Sequence, residues 1–96
     1  MKVCDMHCDT LYELEDARFA NREVHLLDNH LNISLNKMKQ GDYLLQTFAI
    51  FTHLMRNGDP EKHVARMIDI FYNELELNTD LKHVLSYKDI EEAMNN

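Results

Sequence analysis

The run Tyr43 to Phe51 (YLLQTFAIF) is nearly continuous in apolar side chains. A strand with one wet face alternates apolar and polar residues, so an unbroken, aromatic-rich run belongs to a strand covered on both faces, as in a parallel sheet. Parallel strands are joined by long crossover connections, usually helical, and leave a bare edge unless further strands flank them. This one run points to an alternating α/β architecture.

The rest of the chain fits that pattern. Val3, Asp5, His7 and Asp9 alternate with Cys4, Met6 and Cys8. As a first strand, this stretch puts its ionisable groups on one face and its apolar groups on the other. Residues 11 to 18 read as a short, partly exposed helix with Leu11 and Leu14 as its stripe. Residues 19 to 34, with three Asn and two His, read as an irregular connection, and Leu35 to Gln40 as a helical turn stopped by Gly41.

After the second strand, Asp59 and Pro60 supply an N-cap and a first-turn proline. Val64, Ile68, Phe71 and Leu75 then recur at helical spacing, with Met67 beside them, which predicts a helix over Pro60 to Leu77 packed across the sheet through that stripe. Ser86 and Asp89 form a capping-box pair that opens a last, shorter helix. Gly and Pro total three residues, where average usage predicts about eleven or twelve, so long structureless loops are not expected.

Two strands cannot close or doubly cover such a sheet. The 96 residues are therefore expected to be the N-terminal portion of a larger α/β domain.

Ten Lys and Arg against 17 Asp and Glu give a net charge of −7, which repels phosphate backbones and anionic lipid; neither nucleic acid nor a membrane surface is an expected partner. The opening MKVCDMHCDT lacks the apolar core of an export signal. Cys4 and Cys8, about 13 Å apart on a strand, are too distant for a disulfide. Reduced thiols and a cytoplasmic location are expected.

His7 and Asp9, two residues apart, point the same way on a strand with Cα atoms about 7 Å apart, so an imidazole nitrogen and a carboxylate oxygen can converge on one cation. In α/β folds the carboxyl ends of parallel strands are where active sites lie. Asp5 either accepts a hydrogen bond from a ligand or takes another partner in an inner layer. Cys8 faces away as a packed thiol. His53, after the second strand, either approaches the same rim as His7 and Asp9 or, as is commoner for such a residue, is exposed in a loop. His25, His30, His63 and His83 lack ligand spacing and read as surface residues, and Glu91 and Glu92 as a solvated helix face.

The segments CDMHCDTLYEL, HLNISLNKMKQGDYLLQTFAIF and LSYKDIEEA together resemble the N-terminal third of the membrane dipeptidase family, the renal dipeptidases. There the first strand ends in D-x-H-x-D, here Asp5, His7 and Asp9 followed by Thr10 and Leu11. The second strand carries Gln before an aromatic-rich stretch, here Gln46 and then Thr47 to Phe51. Met6 stands where Gly is common and Thr47 where an aromatic is usual.

The resemblance implies a metal-dependent (β/α)8 TIM barrel of amidohydrolase type that hydrolyses dipeptides with two zinc ions. His7 and Asp9 would bind one zinc. The bridging Glu, two later His ligands and a catalytic Asp correspond to positions beyond Asn96. On this reading residues 1 to 96 form a partial barrel: the first two βα units and the approach to the third strand. Its open sheet edge predisposes it to self-association. The competing readings are another binuclear amidohydrolase, many of which begin with H-x-H instead, and an interaction module without catalysis.

Overall fold

The structure, a computed structural model, describes residues 1–52 and 59–94. In chain order the elements are β1 (Val3–Asp5), α1 (Thr10–Phe19), α2 (Leu35–Gln40), β2 (Tyr43–Gln46), α3 (Pro60–Leu77) and α4 (Tyr87–Met94). Among the described residues the sheet has two strands, β1 and β2, which pair in parallel. Val3 pairs with Tyr43, Cys4 with Leu45 and Asp5 with Gln46, so Leu44 is accommodated by an irregularity between Val3 and Cys4.

Both strands are shorter than the sequence pattern suggests. The first ends at Asp5, so its expected apolar face does not form: Cys4 and Met6 are exposed. The second ends at Gln46 instead of Phe51, because β1 offers only three residues for a ladder. Past its end the chain keeps two wider-spaced bonds, Thr47 N to Asp5 O at 2.9 Å and Ala49 N to Cys8 O at 3.0 Å. Tyr43 to Gln46 are half-buried and Ile50 is exposed. The expected cover on both faces is therefore absent among the described residues.

The connection between the strands folds around two local devices. At the end of α1, Asn21 takes a left-handed φ of 59°, which lets Arg22 N reach Ala17 O at 2.7 Å and closes the helix. Ser34 opens α2 by accepting a bond from Lys37 N at 3.2 Å. The helix stops at Gly41, but that residue has an ordinary φ of −87°, and the left-handed position is Asp42 at 56°. Glycine is needed there for space, since a Cβ would lie 2.9 Å from the Tyr43 ring.

The third helix has the expected bounds. Asp59 accepts from Glu61 N at 3.0 Å and Lys62 N at 3.4 Å, with Pro60 in the first turn. Its buried face is rotated from the expected stripe, however: His63, Met67, Ile70 and Glu74 are buried, Val64, Phe71 and Leu75 are half-buried, and Ile68 is exposed. The cause is the neighbour. The helix packs chiefly on α1 rather than across the sheet, with Ile70 against Leu11 and Leu14, and α1 offers polar partners that allow a histidine and a glutamate inside. Helix α1 is in turn more buried than expected, Leu11, Leu14 and Ala17 being almost wholly covered.

Two apolar clusters result. One holds Cys8, Leu26, Ile33, Leu35 and Met38, and the other Leu11, Leu14 and Ile70, with Phe48 touching both. The remaining flank of α3 faces a cavity of about 1050 Å³ bordered by Leu45, Phe48, Phe71, Leu75, Ile90 and Met94. Helix α4 buries no residue fully. Its capping box is displaced: Ser86 Oγ accepts from Asp89 N at 3.4 Å, while Asp89 Oδ2 returns to Leu85 N at 2.9 Å rather than to Ser86.

The rotated face gives a direct test. Ile70→Ala is expected to cost about 2 to 4 kcal/mol and Ile68→Ala under about 1 kcal/mol in denaturant unfolding. Equal losses would return the core to the expected stripe.

Candidate metal centre

Strand β1 delivers its last residue, Asp5, beside Gln46, the last residue of β2. Gln46 Nε2 donates to Asp5 Oδ2 at 2.8 Å and to Thr47 O at 3.0 Å. Of the two roles open to Asp5, the structure gives it the neighbouring strand as partner. Gln46 Oε1 is buried with no partner among the described residues.

Beyond β1 the backbone leaves the sheet, and the segment is pinned at its middle. Cys8 is buried in the first apolar cluster, and its carbonyl accepts the bond from Ala49 N. His7 and Asp9, on either side of it, are turned to solvent and meet: His7 Nε2 lies 2.6 Å from Asp9 Oδ1. The expected convergence of the two side chains is present, but strand alternation is not its origin. A buried residue between two exposed ones, in a turn from strand to helix, brings them together.

Asp9 is also the residue before α1. An aspartate there ordinarily accepts a bond from a first-turn N–H and stabilises the helix by about 0.5 to 2 kcal/mol. Asp9 makes no side-chain cap bond, and its carboxylate faces His7 instead. An imidazole and a carboxylate are the donor types that a borderline divalent cation such as Zn²⁺ takes, and two such residues are one fewer than the three protein ligands of a catalytic zinc site.

Burial pushes the Cys8 thiol up from its ordinary range, against opposing hydrogen bonds from Thr10, and the charges of Asp5 and Asp9 push the same way. It is a packed thiol, as expected, and both cysteines are free. His53 lies outside the described residues.

The expectation that His25, His30, His63 and His83 are surface residues holds for His30 alone. His83 is half-buried, its ring edge-on to Phe71 at 5.1 Å and to Tyr72 at 5.9 Å. His25 is half-buried and paired with Glu74. His63 is 1% exposed, with Nε2 at 3.0 Å from Glu15 Oε2 and Nδ1 at 2.7 Å from Thr52 Oγ1.

His63, Glu15 and Asp16 bring three potential ligand atoms within 4.8 Å of one another, a grouping the sequence does not announce because Glu15 and His63 are 48 residues apart. The other oxygen of Glu15 accepts from Arg66 Nε at 2.8 Å. With a guanidinium on one oxygen and an imidazole on the other, Glu15 is an ion-pair centre joining α1 to α3 rather than a vacant ligand. The Tyr12 ring lies edge-on to His63 at 5.2 Å and stacks on Phe51 at 4.7 Å.

No family model matches the chain, and neither a curated protein nor a solved structure does. Among the described residues no helix is long and apolar enough to cross a membrane.

The contrast between the cysteines is measurable. In the folded chain Cys4 is expected to react with iodoacetamide at least about tenfold faster than Cys8, because burial both disfavours the Cys8 thiolate and shields it from the reagent. The two rates should converge in denaturant, and equal rates in the folded chain would contradict the anchoring role of Cys8.

Proposed function

We propose that this chain is the N-terminal portion of a zinc-dependent dipeptidase barrel and supplies two ligands, His7 and Asp9, to one of its metal ions. The observation that carries the reading is the Asp9 carboxylate, withheld from the helix it precedes and held 2.6 Å from His7. Asp9 gives up the helix cap for a bond to His7, and departures from local rules are expected at functional positions. The parallel pairing of β1 with β2, with α1 and α2 between them and α3 after, supports the barrel order of elements. The resemblance through Asp5, His7, Asp9 and Gln46 supports the substrate class.

In this mechanism the chain's residues bind and orient. His7 offers Nε2, Asp9 offers Oδ1, and Cys8 fixes the backbone between them by packing and by its carbonyl. Gln46 holds Asp5 across the two strand ends and stiffens the floor from which the ligands rise. The zinc ions, when bound, supply Lewis acidity and lower the pKa of the attacking water. The partner is a dipeptide. A reducing, cytoplasmic setting accords with an exposed Cys4 and a buried Cys8, both free.

A second reading, a non-catalytic interaction module, draws on the outer edge of β2, unpaired among the described residues, and on exposed Met6, Leu85 and Tyr87. Under either reading the open edge favours self-association. Sedimentation velocity is expected to show mass rising with concentration, and a strictly monomeric chain at 100-fold dilution steps would remove that inference.

Calorimetric titration with Zn²⁺ separates the readings. The 96-residue chain is expected to bind zinc weakly, and His7→Ala or Asp9→Asn to weaken binding at least about tenfold, the lower end of what even an outer partner of a ligand costs. Unchanged binding in both variants would remove the metal centre. With two ligands the chain alone is expected to show no dipeptide turnover above background. Turnover that disappears in His7→Ala would instead require a complete site, built within one chain or between copies.

A further inference from the structure

Both ring nitrogens of His25 face carboxylates: Nδ1 lies 2.9 Å from Glu74 Oε1, and Nε2 lies 3.2 Å from Glu23 Oε1. A neutral imidazole has one N–H. It can serve one of these oxygens but must turn a lone pair toward the other, whereas the imidazolium donates to both. His63 is differently placed, since its second partner is the Thr52 hydroxyl, which can donate or accept and so fits either protonation state.

Glu74 gives the difference its weight. It is 1% exposed on α3, and its neighbours besides His25 are Arg18 Nη2 at 4.0 Å and Asn78 Nδ2 at 3.3 Å. The charged groups around the ring are thus Glu74 from α3, Arg18 from the end of α1, and Glu23 and Arg22 from its own connection. Arg18, Arg22, Glu23 and His25 share a small cavity of about 350 Å³. The hydrogen bond that the ring donates to Glu74, then that to Glu23, hold the imidazole above its ordinary range against the opposing effect of burial.

The ring sits where the connection enters the core. The next residue, Leu26, is 3% exposed in the cluster that contains Cys8, and its carbonyl accepts from Leu35 N at 2.9 Å. Leu27 O accepts from Asn36 N at 3.1 Å, and Asn29 Nδ2 donates to His25 O at 3.0 Å. What holds His25 therefore holds residues 25 to 29 against α2 and α3, and with them one wall of the packing around Cys8.

We propose that His25 is a pH-operated latch: as an imidazolium it clasps the connection between α1 and α2 to Glu74 of α3 while also holding Glu23, and on losing its proton it turns a lone pair to one of the two carboxylates, which weakens that hold and loosens the cluster around Cys8. This inference does not depend on the metal reading. Because the folded state raises the histidine's pKa, the latch is fully closed below about 6.5, the unfolded value, and is lost as pH rises through the higher folded value.

Amide hydrogen exchange of the whole chain at pH 6.0 and 8.5, corrected for intrinsic rates, tests the latch together with an NMR titration of the His25 ring. The expected result is a ring midpoint above about 6.5 and a fall of at least about threefold in protection at Leu35 and Asn36 between the two pH values, with Leu14 in α1 unchanged. His25→Gln should show the low protection at both values. Glu23→Gln should keep the pH dependence with a lower midpoint. Equal wild-type protection at both pH values, or a His25→Gln chain that retains the wild-type dependence, would overturn the proposal. If Leu14 also loses protection in His25→Gln, the wild-type and Glu23→Gln titrations decide the matter.

Discussion

Two carboxylates, Glu15 and Glu74, are buried along the packing of α1 against α3, and the placing of the other elements depends on how they are satisfied. Removing one partner of a buried ion pair costs about 3 to 5 kcal/mol, because the remaining charge is left without water or counter-charge. Glu15 is met by His63 and Arg66 of α3, and Glu74 by His25 of the connection and Arg18 of α1. Each carboxylate thus joins separate stretches of chain. The helix pair cannot rotate to bury its apolar stripe without abandoning both sets of bonds. The rotation leaves Phe71 and Leu75 beside the cavity next to β2.

The candidate metal ligands rest on a different support. Cys8 is buried while the residues on either side are exposed, so the turn from β1 to α1 is held from below and leaves two polar side chains above. Asp9 gives up the cap that its position offers. That is the arrangement of a site whose geometry is fixed by packing underneath it and not by the bonds its own functional groups make. The same packing includes Leu26, which connects the turn to the His25 clasp on the far side of the cluster.

His7 and Asp9 meet at the carboxyl end of the two-stranded sheet, and among the described residues the cavity beside β2 is only partly covered. A barrel needs more strands to close, and a metal site needs more ligands. The proposed barrel would place further strands on the edge of β2 that is unpaired among the described residues.

The sequence by itself determined the elements whose signals are local. Asp59 and Pro60 marked the start of α3, because they act on backbone groups within a few residues, whereas the caps that Ser34 gives α2 and Asn21 gives α1 lay inside what read as an irregular connection. The order strand, connection, strand, helix, helix was legible as well; His7 and Asp9 were expected together from strand alternation but meet because Cys8 is buried between them. Tertiary structure alone decided where the strands end, since a ladder is as long as its shorter partner, and which face of α3 is inward, since His63 and Glu74 become buriable only when Glu15, Thr52 and His25 arrive from distant parts of the chain. Periodicity counts apolar residues and cannot register a polar side chain whose partner lies some 50 positions away; there, hydrogen bonding outweighs the hydrophobic pattern.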